Sequence, residues 1–182
     1  MSSLDEQVRQ TCQQARRAAR ALAPRPTAQK NAALEAIARG IEASASAILE
    51  ANRLDLEAAR QKGTKGAMLD RLMLDDARVK AMARSVREVA ALPDPVGEVV
   101  SRTTRPSGIA VTRVRVPLGV VAMIYEARPN VTVEASALTL KAGNAVVLRG
   151  GSEAERSNAA LAKVIGDAVE ASGLPRAVVQ VL

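Results

Sequence analysis

The chain has 182 residues, a net charge of +7 and an apolar fraction of 48%, enough for one compact domain with a sizeable core. One cysteine and no histidine exclude a disulfide framework, a Cys/His zinc site and a histidine-based triad within these residues. With a single Tyr and neither Trp nor Phe, the core must be built from Ala, Val, Leu, Ile and Met, and nothing is available to stack on bases.

The positive charge comes mostly from arginines, without the basic run expected of a nucleic-acid surface. It reads as guanidinium groups on exposed helix faces. No apolar segment approaches a membrane span, and MSSLDEQVRQ is not a signal peptide, so a cytoplasmic location is expected. From residue 4 to 22 the pattern is helical, with Leu4, Val8, Cys12, Ala15, Ala19 and Leu22 on one stripe. On that stripe Cys12 is expected to be a small buried hydrophobe rather than a nucleophile. Pro24 and Pro26 break the helix, and Thr27 is a candidate cap for the next, which turns Leu34, Ile37 and Ile41 inward. A further helix carries Ile48, Leu49 and Leu56 and stops near Gly63. Asp75 and Asp76 invite an acid/base reading. They also precede a helix with Val79, Met82, Val86 and Val89 on its inner face, and carboxylates there complement the helix dipole.

Pro93, Pro95 and Gly97 end the helical lead. Two strands, about Glu98 to Arg102 and Ile109 to Val116, are joined by a turn at Pro106-Ser107-Gly108. Thr112, Val114 and Val116 alternate with Arg113 and Arg115, which predicts one packed and one wet face. Gly119 to Tyr125 is a nearly unbroken apolar run, expected to be a parallel strand buried on both faces. Arg128-Pro129-Asn130 stops it, with Asn130 a plausible N-cap for a helix from Val131 to about Ala142 and Gly143 its left-handed stop. Ala145 to Leu148 is a second strand, ending in Arg149-Gly150-Gly151. Ser152-Glu153-Ala154-Glu155 fits a capping box for a helix buried through Leu161, Val164, Ile165 and Ala168. Gly173 and Pro175 end that helix, and Ala177 to Leu182 begins another strand. Ending there suggests an interrupted sheet.

The best candidate for chemistry is Arg149-Gly150-Gly151-Ser152. A parallel strand end, small residues, a guanidinium and a helix start together suit an anion. The motif differs from the six-residue Rossmann fingerprint.

IYEARPNVTVEASALTLKAGNAVVLRGGSEA resembles the cofactor-domain core of the gamma-glutamyl phosphate reductases (glutamate-5-semialdehyde dehydrogenases), within the aldehyde dehydrogenase superfamily. The likeness runs from the amino terminus, through AMLDRL and DPVGEV, to Leu182. Chains of that family are much longer, so the sequence reads as the first part of such an enzyme. The resemblance implies an α/β fold, aldehyde-dehydrogenase-like, with a helical lead over 1–96, a hairpin arm over 97–116 for subunit contact, and an incomplete Rossmann-like core over 117–182. It also implies NADPH-dependent reduction of L-glutamyl 5-phosphate in proline biosynthesis, through a thiolate lying beyond these residues. Further implications are a homo-oligomer at full length and an association with glutamate 5-kinase; neither a metal nor nucleic acid is implied.

For individual residues, the resemblance sets the backbone of Tyr125, Glu126 and Ala127 along the cofactor. It sets Arg149 and Ser152 at the adenosine ribose, with Gly150 and Gly151 between them. Many relatives have lysine where Arg149 stands. Arg128 and Asn130 fall near the cofactor–substrate junction, where Arg128 pairs with an acyl phosphate or a substrate carboxylate. Neither residue at the ribose is acidic, which favours NADPH over NADH, and Glu153 points away if Ser152 caps its helix. The alternatives are another acyl-reducing relative, such as a coenzyme-A-acylating aldehyde dehydrogenase, or a non-catalytic nucleotide-binding module.

Overall fold

The structure, a computed structural model, describes residues 3–182. Five helices lead: α1 (Leu4–Leu22), α2 (Thr27–Ala43), α3 (Ala45–Gln61), the short α4 (Ala67–Leu72) and α5 (Asp76–Ala91). A hairpin follows, β1 (Val99–Thr104) and β2 (Ala110–Val114), paired antiparallel. Then strands and helices alternate: β3 (Val120–Ile124), α6 (Pro129–Lys141), β4 (Ala145–Arg149), α7 (Glu155–Ala171) and β5 (Val179–Val181). The sheet order is β3-β4-β5, all parallel. This is the expected α/β architecture, with α6 and α7 as the crossovers that parallel strands require.

The main core lies among the helices and joins the sheet through Ala145 and Val147 of β4. Alternation along β4 turns Val146 and Leu148 the other way, onto Ala135, Val121 and Tyr125. The helical stripes deliver what their periodicity promises: Leu34, Ile37, Ile41, Ile48, Val86, Leu161 and Ile165 are all fully enclosed. Asp75 caps α5, accepting from the Arg78 amide at 2.7 Å. Gly143 adopts φ +73° after α6, as the left-handed stop demands.

Several local expectations are corrected. The stripe of α1 is buried only from Ala15 onward; Leu4 and Cys12 are exposed, because the first half of the helix is left uncovered by the described residues. Strand β3 is an edge strand and mostly exposed, Ile124 by 86%. An apolar run says what a strand prefers to touch, not whether these residues supply the cover. The hairpin has no packed face here either: Val99, Val100, Val111 and Val114 are all exposed. Thr27 is the first helical residue rather than the cap, and its hydroxyl donates to Asp94 Oδ2 at 2.6 Å.

Two lysines are almost wholly enclosed within the helical layer. Lys30 of α2, 1% exposed, pairs with Asp94 at 2.5 Å. Lys141 of α6 donates to Asn31 Oδ1 at 2.7 Å and to the Ala90 carbonyl at 2.8 Å. Asp94 also accepts from the Val96 amide at 3.0 Å, so one carboxylate ties α2 to the segment entering the hairpin.

Candidate functional site

The parallel register sets Ile124 opposite Arg149, and the Tyr125 amide donates to the Arg149 carbonyl at 3.1 Å. The segments after β3 and β4 therefore leave the sheet side by side, at the carboxyl ends where α/β sheets bind ligands. Their closeness explains the glycines. A Cβ on Gly150 would stand 2.2 Å from Asn158 Nδ2 and 3.2 Å from the Tyr125 ring. One on Gly151 would meet the Ala127 amide nitrogen at 3.3 Å and Glu153 Oε2 at 2.7 Å. Neither glycine has positive φ; both are there for space rather than for a turn.

Beneath these segments runs a chain of polar side chains. The Tyr125 hydroxyl lies 2.6 Å from Thr132 Oγ1, which donates to Asn158 Oδ1 at 2.9 Å. Thr132 and Asn158 are buried and Tyr125 half-buried. Burial raises the Tyr125 pKa above its ordinary value, against the opposing effects of the Thr132 bond and the Arg149 charge. The phenol is thus neutral at physiological pH and joins three elements: the end of β3, α6 and α7.

Arg149 is exposed and lines an open cleft of about 430 Å³ with Gly150, Gly151, Lys163 and Arg176. Its guanidinium bonds to the Gly150 carbonyl. Lys163 and Arg176 are both paired with Asp167 at 2.6 Å, and Arg176 with Glu170 as well, so Arg149 is the cation of this wall without an acidic partner among the described residues. Ser152 caps nothing: residues Ser152–Ala154 form a 3₁₀ turn ahead of α7. The cap comes from α3 instead. Asp55, 2% exposed, accepts from the Ser157 amide at 2.8 Å, the Ser157 hydroxyl at 2.7 Å and the Arg156 amide at 3.3 Å. Ser152 is thus not a cap, and the Glu153 carboxylate lies against Gly151 without lining the cleft.

Arg128 and Asn130 line a separate cleft of about 440 Å³, with Arg71, Arg78, Met82 and Glu134. The expected substrate residues and the expected ribose residues therefore fall on two walls, joined by the segment from Tyr125 to Ala127. Asn130 is not the N-cap of α6. The backbone of Arg128 takes that place, Pro129 is the first helical residue, and the Asn130 amide donates to Glu134 at 3.1 Å. Cys12 lines neither cleft.

Four residues of this region were missed from sequence: Arg71, Thr132, Asn158 and Asp55. Thr132 and Asn158 are polar residues on the buried faces of α6 and α7, a pattern that signals a network. Nothing local marks Asp55, because the groups it caps are 101 and 102 residues away.

Comparison with known proteins places this geometry. The model of the aldehyde dehydrogenase family matches residues 2–182. The chain is 52% identical over 180 residues to the gamma-glutamyl phosphate reductase of Geobacter metallireducens, covering 99% of this chain and 43% of that one. It is 56% identical over 170 residues to that of Moorella thermoacetica, covering 93% and 41%. Among solved structures, gamma-glutamyl phosphate reductase from Thermotoga maritima superposes with a TM-score of 0.92 at 42% identity, over 95% of this chain and 42% of that one. The Saccharomyces cerevisiae enzyme gives 0.88 at 32%, over 95% and 45%. The chain thus spans about two fifths of the length of the curated relatives it matches. A glyceraldehyde-3-phosphate dehydrogenase from Methanocaldococcus jannaschii, solved in complex with NADP, shares the fold at 20% identity, with a TM-score of 0.67 over 100% of this chain and 37% of that one.

Proposed function

The chain belongs to the aldehyde dehydrogenase family, and on that footing we propose that it forms the cofactor-binding side of a gamma-glutamyl phosphate reductase. The reaction is reduction of L-glutamyl 5-phosphate to L-glutamate 5-semialdehyde with release of phosphate. The observation that carries this reading is identity of 52–56% to reductases of that name across nearly the whole chain.

The donor set of the cleft at Arg149 fits a nucleotide carrying an extra phosphate. A guanidinium at a strand end can grip phosphate through two parallel bonds, and the charges of Lys163 and Arg176 beside it are taken up by Asp167 and Glu170, which leaves this role to Arg149. The dinucleotide, when bound, supplies the hydride. The polar chain Tyr125–Thr132–Asn158 ties the end of β3 to α6 and α7 before a ligand arrives. Arg128, on the neighbouring cleft, holds the anionic substrate. In this reaction class a thiolate displaces phosphate from the acyl carbon, and hydride addition to the thioester releases aldehyde and regenerates the thiol. Cys12, exposed on α1 and outside both clefts, does not supply that thiolate. The 182 residues alone are therefore expected to bind nucleotide without turnover. The exposed valines of the hairpin suit an arm that packs on a second copy.

The test has two parts. Fluorescence titration of the chain should show NADPH bound more tightly than NADH, with Arg149→Ala weakening NADPH by about tenfold or more and NADH much less. Equal losses for both cofactors would overturn the role given to Arg149. The protein carrying these residues, assayed with glutamate 5-semialdehyde and NADP, should form NADPH only when phosphate is present. Phosphate-independent oxidation would assign it to another branch of the family.

A further inference from the structure

The cleft between α4, α5 and the start of α6 is lined by three arginines, and their partners sort them. Arg78 is fully engaged, bonding to the Asp70 carboxylate at 2.7 Å, the Met73 carbonyl at 2.8 Å and the Asp70 carbonyl. It braces α4 against α5. No hydrogen bond or ion pair among the described residues uses the guanidinium of Arg128. Arg71 lies between these extremes: its one partner is Glu126 Oε2, at 3.5 Å and between exposed side chains. Charge-assisted bonds close to about 2.7–2.9 Å when they form fully, so this contact is a loose one.

The carboxylates of the cleft are already in use. Asp70 is taken by Arg78, and Glu134 accepts from Asn130. What remains available is a pair of guanidinium groups on different elements, facing one cleft. Their placement is fixed. Leu72 of α4 packs with Ala59 and Ala154, and Ala127 packs against the same cluster. Short α4 is therefore anchored to the segment that carries both Glu126 and Arg128, and its Arg71 is left on the cleft side.

We infer that Arg71 is a second anion-binding residue of this cleft. It takes the remote carboxylate of a substrate whose other anionic end meets Arg128, and Glu126 holds it in reserve until that carboxylate arrives. This rests on the reductase reading, in which Arg128 lies at the cofactor–substrate junction and meets the acyl phosphate. The ligand class is a short acyl phosphate, or its phosphonate, with a carboxylate at the far end. Arg71 then sets specificity rather than joining the chemical step, and exchanging Glu126 for the substrate carboxylate replaces a loose pair with a closer one.

Two probes separate the ends of such a ligand. One is the methylene phosphonate analogue of L-glutamyl 5-phosphate, in which CH₂ replaces the bridging oxygen. The other is 5-amino-2-oxopentylphosphonate, which keeps the amine, ketone and phosphonate but lacks the carboxylate. Calorimetric titration of the whole protein that carries these residues should show the first probe bound more tightly. Arg71→Ala and Arg71→Gln should weaken it about tenfold while leaving the second unchanged. Glu126→Gln should tighten the first probe by about threefold, since a competing partner is removed. Thermal melts of the variants check folding. Equal loss of both probes in the Arg71 variants, or weaker binding in Glu126→Gln, overturns the inference. Binding of the first probe with no response to Arg71 overturns it and leaves the reductase reading standing; binding of neither probe by the wild type overturns both.

Discussion

Removing the Asp94 carboxylate should be among the most damaging single changes in the helical layer. Asp94, 11% exposed on its side chain, faces the ammonium of Lys30 at 2.5 Å and accepts from Thr27 and the Val96 amide. Burial pushes its pKa up, but the bonds from Lys30, Thr27 and Val96 together hold it below the ordinary carboxylate value. Lys141 feels the same anion: burial lowers its pKa, Asp94 opposes that, and Lys30 adds to it. Asp94→Ala would leave Lys30 enclosed without a counter-charge and two donors without their acceptor. Breaking a buried pair from one side costs about 3–5 kcal/mol. For a chain of this size that is a fall in melting temperature of about 6–20 °C. Differential scanning calorimetry measures it directly. Arg53→Ala, which removes ion pairs to Glu50 and Glu57 on an exposed helix face, should barely move the melt. Adding Lys30→Met to Asp94→Ala should recover much of the loss, because it removes the stranded charge. If Asp94→Ala costs no more than Arg53→Ala, or if Lys30→Met deepens the loss, the pair does not organise this layer as described.

The stability gap between wild type and Asp94→Asn should be constant from neutral pH down to about pH 4. It should narrow only below that, because a depressed folded pKa gives stability that is present above the unfolded value and lost as pH falls through the folded one; chemical denaturation across pH measures it. Gly150→Ala should destabilise by about 1–3 kcal/mol and weaken NADPH binding, since its Cβ meets Asn158 and Tyr125; an unchanged denaturation midpoint would show that the two strand ends are not closely packed. Cys12, exposed on α1, should react stoichiometrically with a thiol reagent in the folded protein, and Cys12→Ser should leave the melting temperature unchanged; slow, denaturant-dependent labelling would contradict the exposed position.

The helices were legible because each carries its apolar residues at 3.6-residue spacing, and Ile37, Val86 and Leu161 answer to that rule directly. The strand–helix–strand order was legible for the same reason. What sequence could not supply was the partner of each face. Cys12 lies on a true stripe whose first half is uncovered, and β3 is apolar although its cover is not among these residues. Caps failed for a related reason. Ser152, Thr27 and Asn130 have the chemistry of a cap, yet their side chains found other contacts or none across the helix start, while α7 took its cap from Asp55. At the site, Arg149-Gly150-Gly151 was visible as a motif, but the reason for its glycines was not. That reason is the approach of Tyr125, Ala127 and Asn158 from elsewhere in the chain.

The capping of α7 by Asp55 bears on the order in which the molecule can mature. Residues Arg149 to Gly151 lead directly into that helix, and its first amides stay unsatisfied until α3 docks upon them. As the polypeptide leaves the ribosome, the helical lead emerges early but has nothing to cap until residues 156 and 157 appear. Closing a loop of that length carries a large entropic cost before any reward is returned. The wall at Arg149 to Gly151 thus sets only after the helical lead has emerged, and a nascent chain halted inside α6 would lack both α7 and the groups that Asp55 caps.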